Sequence, residues 1–103
     1  GGFKKMNMQQ MLIQAQKMQR EMQKKQAELE AKEFTVTKGG AVTVVVKGDK
    51  SIKSVSIDKD AFDPENKEMV EEMITMAINE AIETIRDEEE KISAQMTPTG
   101  GLF

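Results

Sequence analysis

The sequence predicts an α+β fold in one domain over residues 1–103: a long N-terminal helix, a three-stranded antiparallel sheet and a long C-terminal helix. Three observations carry this expectation. Apolar residues recur every three or four positions through residues 4–33. The period drops to two through residues 34–58. A broad helical stripe then resumes after Asp63-Pro64. A length of 103 residues allows one modest core and is too short for two.

The first helix is expected over residues 4–33, because Gln, Met, Lys, Glu, Ala and Leu are all good helix formers. Met8, Met11, Ala15, Met18, Met22 and Leu29 occupy alternating a and d heptad positions, with Lys25 interrupting one d position. So narrow a stripe suits contact with another helix along a seam better than burial in a core, and methionine fills such a seam flexibly.

The sheet follows over residues 34–58. Phe34 and Val36 alternate with threonine, as do Val42 and Val44, while Val55 and Ile57 alternate with serine. Gly39-Gly40 and Gly48-Asp49 sit between these runs and suit tight turns. Ile52 breaks parity with Val55, which predicts a bulge or a late strand start.

The second helix is expected over residues 64–96, with Asp63 as cap, Pro64 at its first position, and Glu65 and Glu68 favoured near the positive end of its dipole. Its stripe is broad from Val70 to Ile85 and thins to Ile92, Ala94 and Met96. The first half should therefore cover the sheet, and the second should pair with the first helix as an arm, placing Lys4 and Lys5 near Asp87–Glu90 at the tip. Residues 97–103, with Pro98 and Gly100-Gly101, are expected to form a flexible tail. Three strands under one helix leave an edge exposed, so a homodimer with a sheet core and two protruding arms is expected.

Composition narrows function. Cysteine, histidine, tyrosine and tryptophan are absent, which removes thiol metal sites, the commonest general base and the best stacking rings. No apolar run approaches the roughly 20 residues of a membrane span, and a cytoplasmic setting is expected. The acids of Arg86–Lys91 follow one another and so point around a helix, as a solvated face does. Thr35, Thr37 and Thr43 have no base beside them. No enzyme activity, cofactor, metal or small-molecule substrate is expected.

The net charge of −3 conceals an asymmetry: +3 over residues 1–33, +2 over 34–60 and −8 over 61–103. With Met8 at a, Lys17 and Lys24 fall at c and Arg20 at f, one line opposite the methionine seam and flanked by Gln16 and Gln23. Such a line can neutralise phosphates, and glutamine can bond phosphate oxygens or base edges. In a chain that is acidic as a whole, composition by itself favours a solvated coiled-coil exterior.

Specific segments shift that balance. "GGF" at the start, "QAQKMQREMQKKQAEL" (Gln14–Leu29), the glycine-rich hairpin, "VSID" (Val55–Asp58), "KEMVEEMITMAINEA" (Lys67–Ala81) and the terminal "TGGLF" together resemble the YbaB/EbfC family of bacterial nucleoid-associated proteins over nearly the whole chain. The resemblance implies a tweezer-like homodimer that binds duplex DNA with limited sequence preference, at the nucleoid, in nucleoid organisation and gene regulation. It implies no catalysis. The acidic second helix is the departure that matters, and it argues against phosphate contacts from that helix. On this reading Lys17, Arg20, Lys24, Gln16 and Gln23 are the DNA-binding residues, with Lys47, Lys50 and Lys53 of the sheet next in line. The competing reading is a coiled-coil-like adaptor that binds proteins through its methionine surface without touching DNA.

Overall fold

The computed structural model describes residues 7–96. It is elongated, 78 × 25 × 14 Å, because the first helix leaves the sheet instead of folding over it.

That helix, α1 (Met8–Ala31), is capped by Asn7, whose side-chain oxygen accepts from the Gln10 N–H at 2.7 Å. It begins later than the expected residue 4; Lys4, Lys5 and Met6 lie outside the described residues. It also ends two residues short of the expected Glu33. Lys32 turns extended, with its N–H on the Leu29 carbonyl at 3.1 Å, and its own carbonyl accepts from the Gly48 N–H at 2.9 Å. The sheet captures the chain at that point, and Glu33 pairs with Lys47.

The strands β1 (Glu33–Lys38), β2 (Val42–Lys47) and β3 (Ile52–Ile57) form an antiparallel sheet in the order β1-β2-β3. Phe34 pairs with Val46, Val36 with Val44 and Lys38 with Val42, while across β2 and β3 Val44 pairs with Val55 and Val42 with Ile57. The parity break at Ile52 is a bulge: Val45 pairs with Ser54 but Val46 with Ile52, which leaves Lys53 as the extra residue. The bulge returns Ile52 to the face that carries Val55 and Ile57.

The two turns use glycine differently. Gly39 and Gly40 adopt φ +58° and +66°, as a tight hairpin requires. In the second turn Lys50, not glycine, takes the left-handed conformation at φ 73°. Gly48 is needed for proximity: a Cβ there would lie 1.7 Å from the Leu29 carbonyl oxygen. Asp49 in this turn accepts from the hydroxyl of Ser51 and from its N–H, and the hydroxyl chiefly holds the carboxyl below its usual range.

The second helix, α2 (Lys67–Met96), starts after a 3-10 turn over Pro64–Asn66. Asp63 caps this turn, accepting from the Glu65 N–H at 2.9 Å. Pro64 therefore opens the turn, whereas the sequence placed it at the first position of the helix itself. The Asn66 N–H closes an i→i+3 bond on the Asp63 carbonyl, and the Asn66 amide bonds the Ala61 carbonyl.

The core lies between β2 and α2. Val42, Val44, Val46, Ala77, Ala81 and Ile85 are fully buried. Ala77 and Ala81 are one turn apart on the face of α2 that meets the sheet, and their small side chains let the helix settle onto the valines. Lys38 clips β1 to Glu80 at 2.5 Å, and Lys50 reaches Glu89 at 3.2 Å.

The arm is only partly paired. Lys25 bonds Gln95 across α1 and α2 at 2.6 Å, one residue before α2 ends at Met96. Lys50 holds Glu89 beside the β2–β3 turn, so the acidic run Asp87–Glu90 sits at the base of the arm and not at its tip, contrary to expectation. From Met8 to Lys17 every residue of α1 is exposed.

Two alanine substitutions should separate the two uses of glycine. Gly48→Ala should cost on the order of 3 kcal/mol by displacing the end of α1. Gly40→Ala meets no atom within 4 Å and carries only the left-handed backbone penalty of roughly 1–2 kcal/mol. Urea unfolding followed by circular dichroism would rank them, and equal losses would contradict the close approach at Leu29.

Candidate nucleic-acid interface

At 3.6 residues per turn, Lys17, Arg20 and Lys24 form one line on α1, spread over about 10 Å. Lys25 and Leu29, which meet α2 and the sheet, face another way: the basic line is turned roughly a quarter to a third of a circle from them. All three cations are exposed. Gln16 and Gln23, one heptad apart and also exposed, run along one side of the line, with Glu21 and Glu28 along the other.

None of the three cations has an ion pair among the described residues. The sheet lysines differ. Lys53 is held by Glu33 at 2.5 Å, Lys50 by Glu89 and Lys38 by Glu80. Of the sheet candidates Lys47, Lys50 and Lys53, only Lys47 has no such pair among the described residues, and it is half-buried. The acids of α2 and β1 thus hold Lys38, Lys50 and Lys53, while the three arm cations have no carboxylate partner among the described residues. Lys91 is likewise held by Glu88 at 3.4 Å.

Sequence reasoning passed over three features. Lys32, at the root of the arm, is exposed with its ammonium 5.2 Å from the Phe34 ring centroid, a cation–π contact that leaves it free of any carboxylate among the described residues. Its position next to an aromatic strand residue was the available signal. Leu12 and Ile13 lie off the methionine stripe, yet they are 61% and 56% exposed at the free end of α1. Two large apolar residues outside the seam were the clue there.

The third is an apolar groove of about 390 Å³ between α2 and β3, lined by Ile57, Ala61, Phe62, Pro64, Val70 and Ile74. α2 packs on β1 and β2, and it leaves Ile52 and Val55 of β3 50% and 42% exposed. Phe62 at the groove is 79% exposed. Among the described residues no group of three or more acids converges as a metal-holding cluster, and no helix is long and apolar enough to cross a membrane.

A family model described as the YbaB/EbfC DNA-binding family matches residues 4–102. A nucleoid-associated protein of Malacoplasma penetrans is 46% identical over 93 residues, covering 90% of this chain and 99% of that one. A nucleoid-associated protein of Clostridium kluyveri is 43% identical over 97 residues, covering 93% and 83%. The crystal structure of an uncharacterised protein from Helicobacter pylori matches with a TM-score of 0.72 at 19% identity, covering 89% of this chain and 98% of the other, which shows a shared fold.

Proposed function

The chain belongs to the YbaB/EbfC DNA-binding family, and from that premise we propose that it is a nucleoid-associated protein that binds duplex DNA as a homodimer, through phosphate contacts from its helical arms, in nucleoid organisation and gene regulation within the cytoplasm. The observation that carries this reading is the line Lys17, Arg20 and Lys24, exposed and unpaired among the described residues while Lys38, Lys50 and Lys53 of the sheet are held by carboxylates. Gln16 and Gln23 flank the line and supply bonds to phosphates or base edges.

The homodimer rests on the inner face of β3. Ile52, Val55 and Phe62 are large apolar side chains exposed beside a groove that α2 does not cover. A second copy laid along β3 and the groove would complete the sandwich and present two arms. The exposed methionines of α1, Met8 at 80% among them, support the second reading, an adaptor that docks proteins. Salt separates the two readings, because phosphate contacts weaken steeply with salt and an apolar surface does not.

Reversing Lys17, Arg20 and Lys24 to glutamate together should weaken binding to every duplex and lower the log–log salt slope by about 0.9 for each phosphate that is no longer neutralised. Gel shifts on unrelated duplexes at two salt concentrations would measure this, with sedimentation to verify that the dimer persists. Unchanged affinity in a folded dimeric variant would remove the line as the interface, and the adaptor reading expects that result. Gln16→Ala and Gln23→Ala should have smaller effects that vary with DNA sequence.

Val55→Asp places a charge on the exposed inner face of β3, so the chain should fold and sediment as an 11.5 kDa monomer at micromolar concentration, where the unaltered protein is dimeric. A variant that remains dimeric would locate the interface elsewhere.

A further inference from the structure

The free end of α1 has a composition unlike the rest of the arm. Met8–Gln16 carries no charged residue, and within it Met8, Met11, Leu12 and Ile13 are each more than half exposed. With no charge, this stretch offers phosphates no ionic partner, so the arm's basic line does not account for it. A helix of this length without tertiary support is marginal in water, and its apolar side chains call for cover. α2 does not supply that cover: its described end lies beside Lys25, more than two turns further along.

We propose that the tip of α1 pairs with the tip of α1 from a second dimer, antiparallel, and so links two DNA-bound dimers; the link between dimers stands alone, and its use in joining DNA rests on the function proposed above. The same stripe argues for a helix as occupant. Met8, Met11, Ala15, Met18, Met22 and Leu29 form one a/d series broken only by Lys25 at a d position, and its far end, at Lys25 and Leu29, already lies against this chain's own α2 and core. The open part continues a surface that accepts a helix.

Charge argues for a second copy. The uncharged, glutamine-rich stretch Met8–Gln16 neither repels itself nor loses a solvated charge on self-association, and Lys17, the one charge within the overlap, falls at the outward c position. Direction follows from geometry: two arms that approach from different dimers meet with their free N-terminal ends opposed. In that overlap Met8 faces Met18 of the other copy and Met11 faces its Ala15, pairing large with large and large with small. Leu12 lies at the flanking e position beside Leu12 of the other copy, and Gln14 at g beside the other Gln14. The overlap from Met8 to Met18 is about 15 Å long. One such contact is weak, but contacts repeated along two duplexes act together.

The test uses the full chain. Met8→Gln, Met11→Gln and Leu12→Gln are combined in one variant, since glutamine keeps helix propensity and adds no charge. A duplex fixed to beads is loaded with protein, and capture of a second, labelled duplex is measured beside gel-shift affinity for one duplex. The unaltered protein should capture the second duplex, and the variant should capture about tenfold less or lower still, with single-duplex affinity and helicity unchanged. Equal capture by the variant, or none by the unaltered protein, overturns the DNA-joining link. Loss of single-duplex affinity in the folded variant also overturns the proposal, because it would assign the tip to DNA.

A second measurement does not depend on DNA. The chain has no cysteine, so Gln14→Cys would be its only thiol. Diamide takes up the two thiol hydrogens as the disulfide forms and should give a covalent species joining two dimers, at a yield that rises with protein concentration. Absence of that species overturns tip pairing even if DNA binding is confirmed; its presence supports tip pairing even if the chain binds no duplex.

Discussion

The burial of β2 beneath α2 is the contact on which the rest of the molecule depends. Val42, Val44 and Val46 reach full burial because Ala77, Ala81 and Ile85 present a narrow, mostly small face to them. Aligned there, α2 is committed to β1 and β2 and cannot also cover β3. The exposed Ile52 and Val55, and the groove at Phe62, follow from that choice. So does the path of the distal half of α2, which passes the β2–β3 turn at Glu89 and meets α1 at Gln95. One helix placement thus decides where the arm is rooted and which apolar surface is left exposed.

Electrostatics divides the molecule differently from its net charge. A chain of −3 with eleven acids beyond residue 60 is a poor candidate for binding DNA if charge is averaged. The carboxylates are not averaged. Glu80 and Glu89 on α2 and Glu33 on β1 are each spent on a sheet lysine. Those pairs are partly exposed, so each contributes little stability. Their larger effect is on the distribution of charge, because Lys17, Arg20 and Lys24 have no ion pair among the described residues.

Much of this was legible in the sequence because it depends on periodicity. The change from a period near 3.5 to a period of two located the sheet, and the parity of Ile52 against Val55 pointed to a bulge or a late strand start, of which the bulge, at Lys53, is what forms. What escaped was set by contacts between distant residues. Glu33 is a good helix former, but its ladder position opposite Lys47 takes it from α1. Gly48 reads as a turn residue, whereas its role is to admit the Leu29 carbonyl, and Lys50 takes the positive φ instead. The acidic run was expected at the tip because the whole second half of the helix was expected to pair with α1 as an arm; the length of α2 needed to cross the sheet leaves it only its last turns for α1. The line of arm cations was readable from spacing, but its freedom from carboxylates was not, because the pairs Lys38–Glu80 and Lys50–Glu89 join residues about forty apart.

The rooting of α1 has a mechanical consequence. The helix is fixed at Leu29 and Lys25, and beyond them it is a cantilever, with its free end at Met8 about 32 Å from Leu29. Along such a lever, ten degrees of rotation at the root displaces the end by about 5 Å, a shift comparable to one helical turn. The stiffness at the tip is therefore governed by a few contacts at the base: the Lys32 carbonyl on Gly48, the Leu29 carbonyl against the same glycine, and Lys25 on Gln95. A helix hinged in this way can move its free end by rotation at one joint, leaving the sheet unstrained.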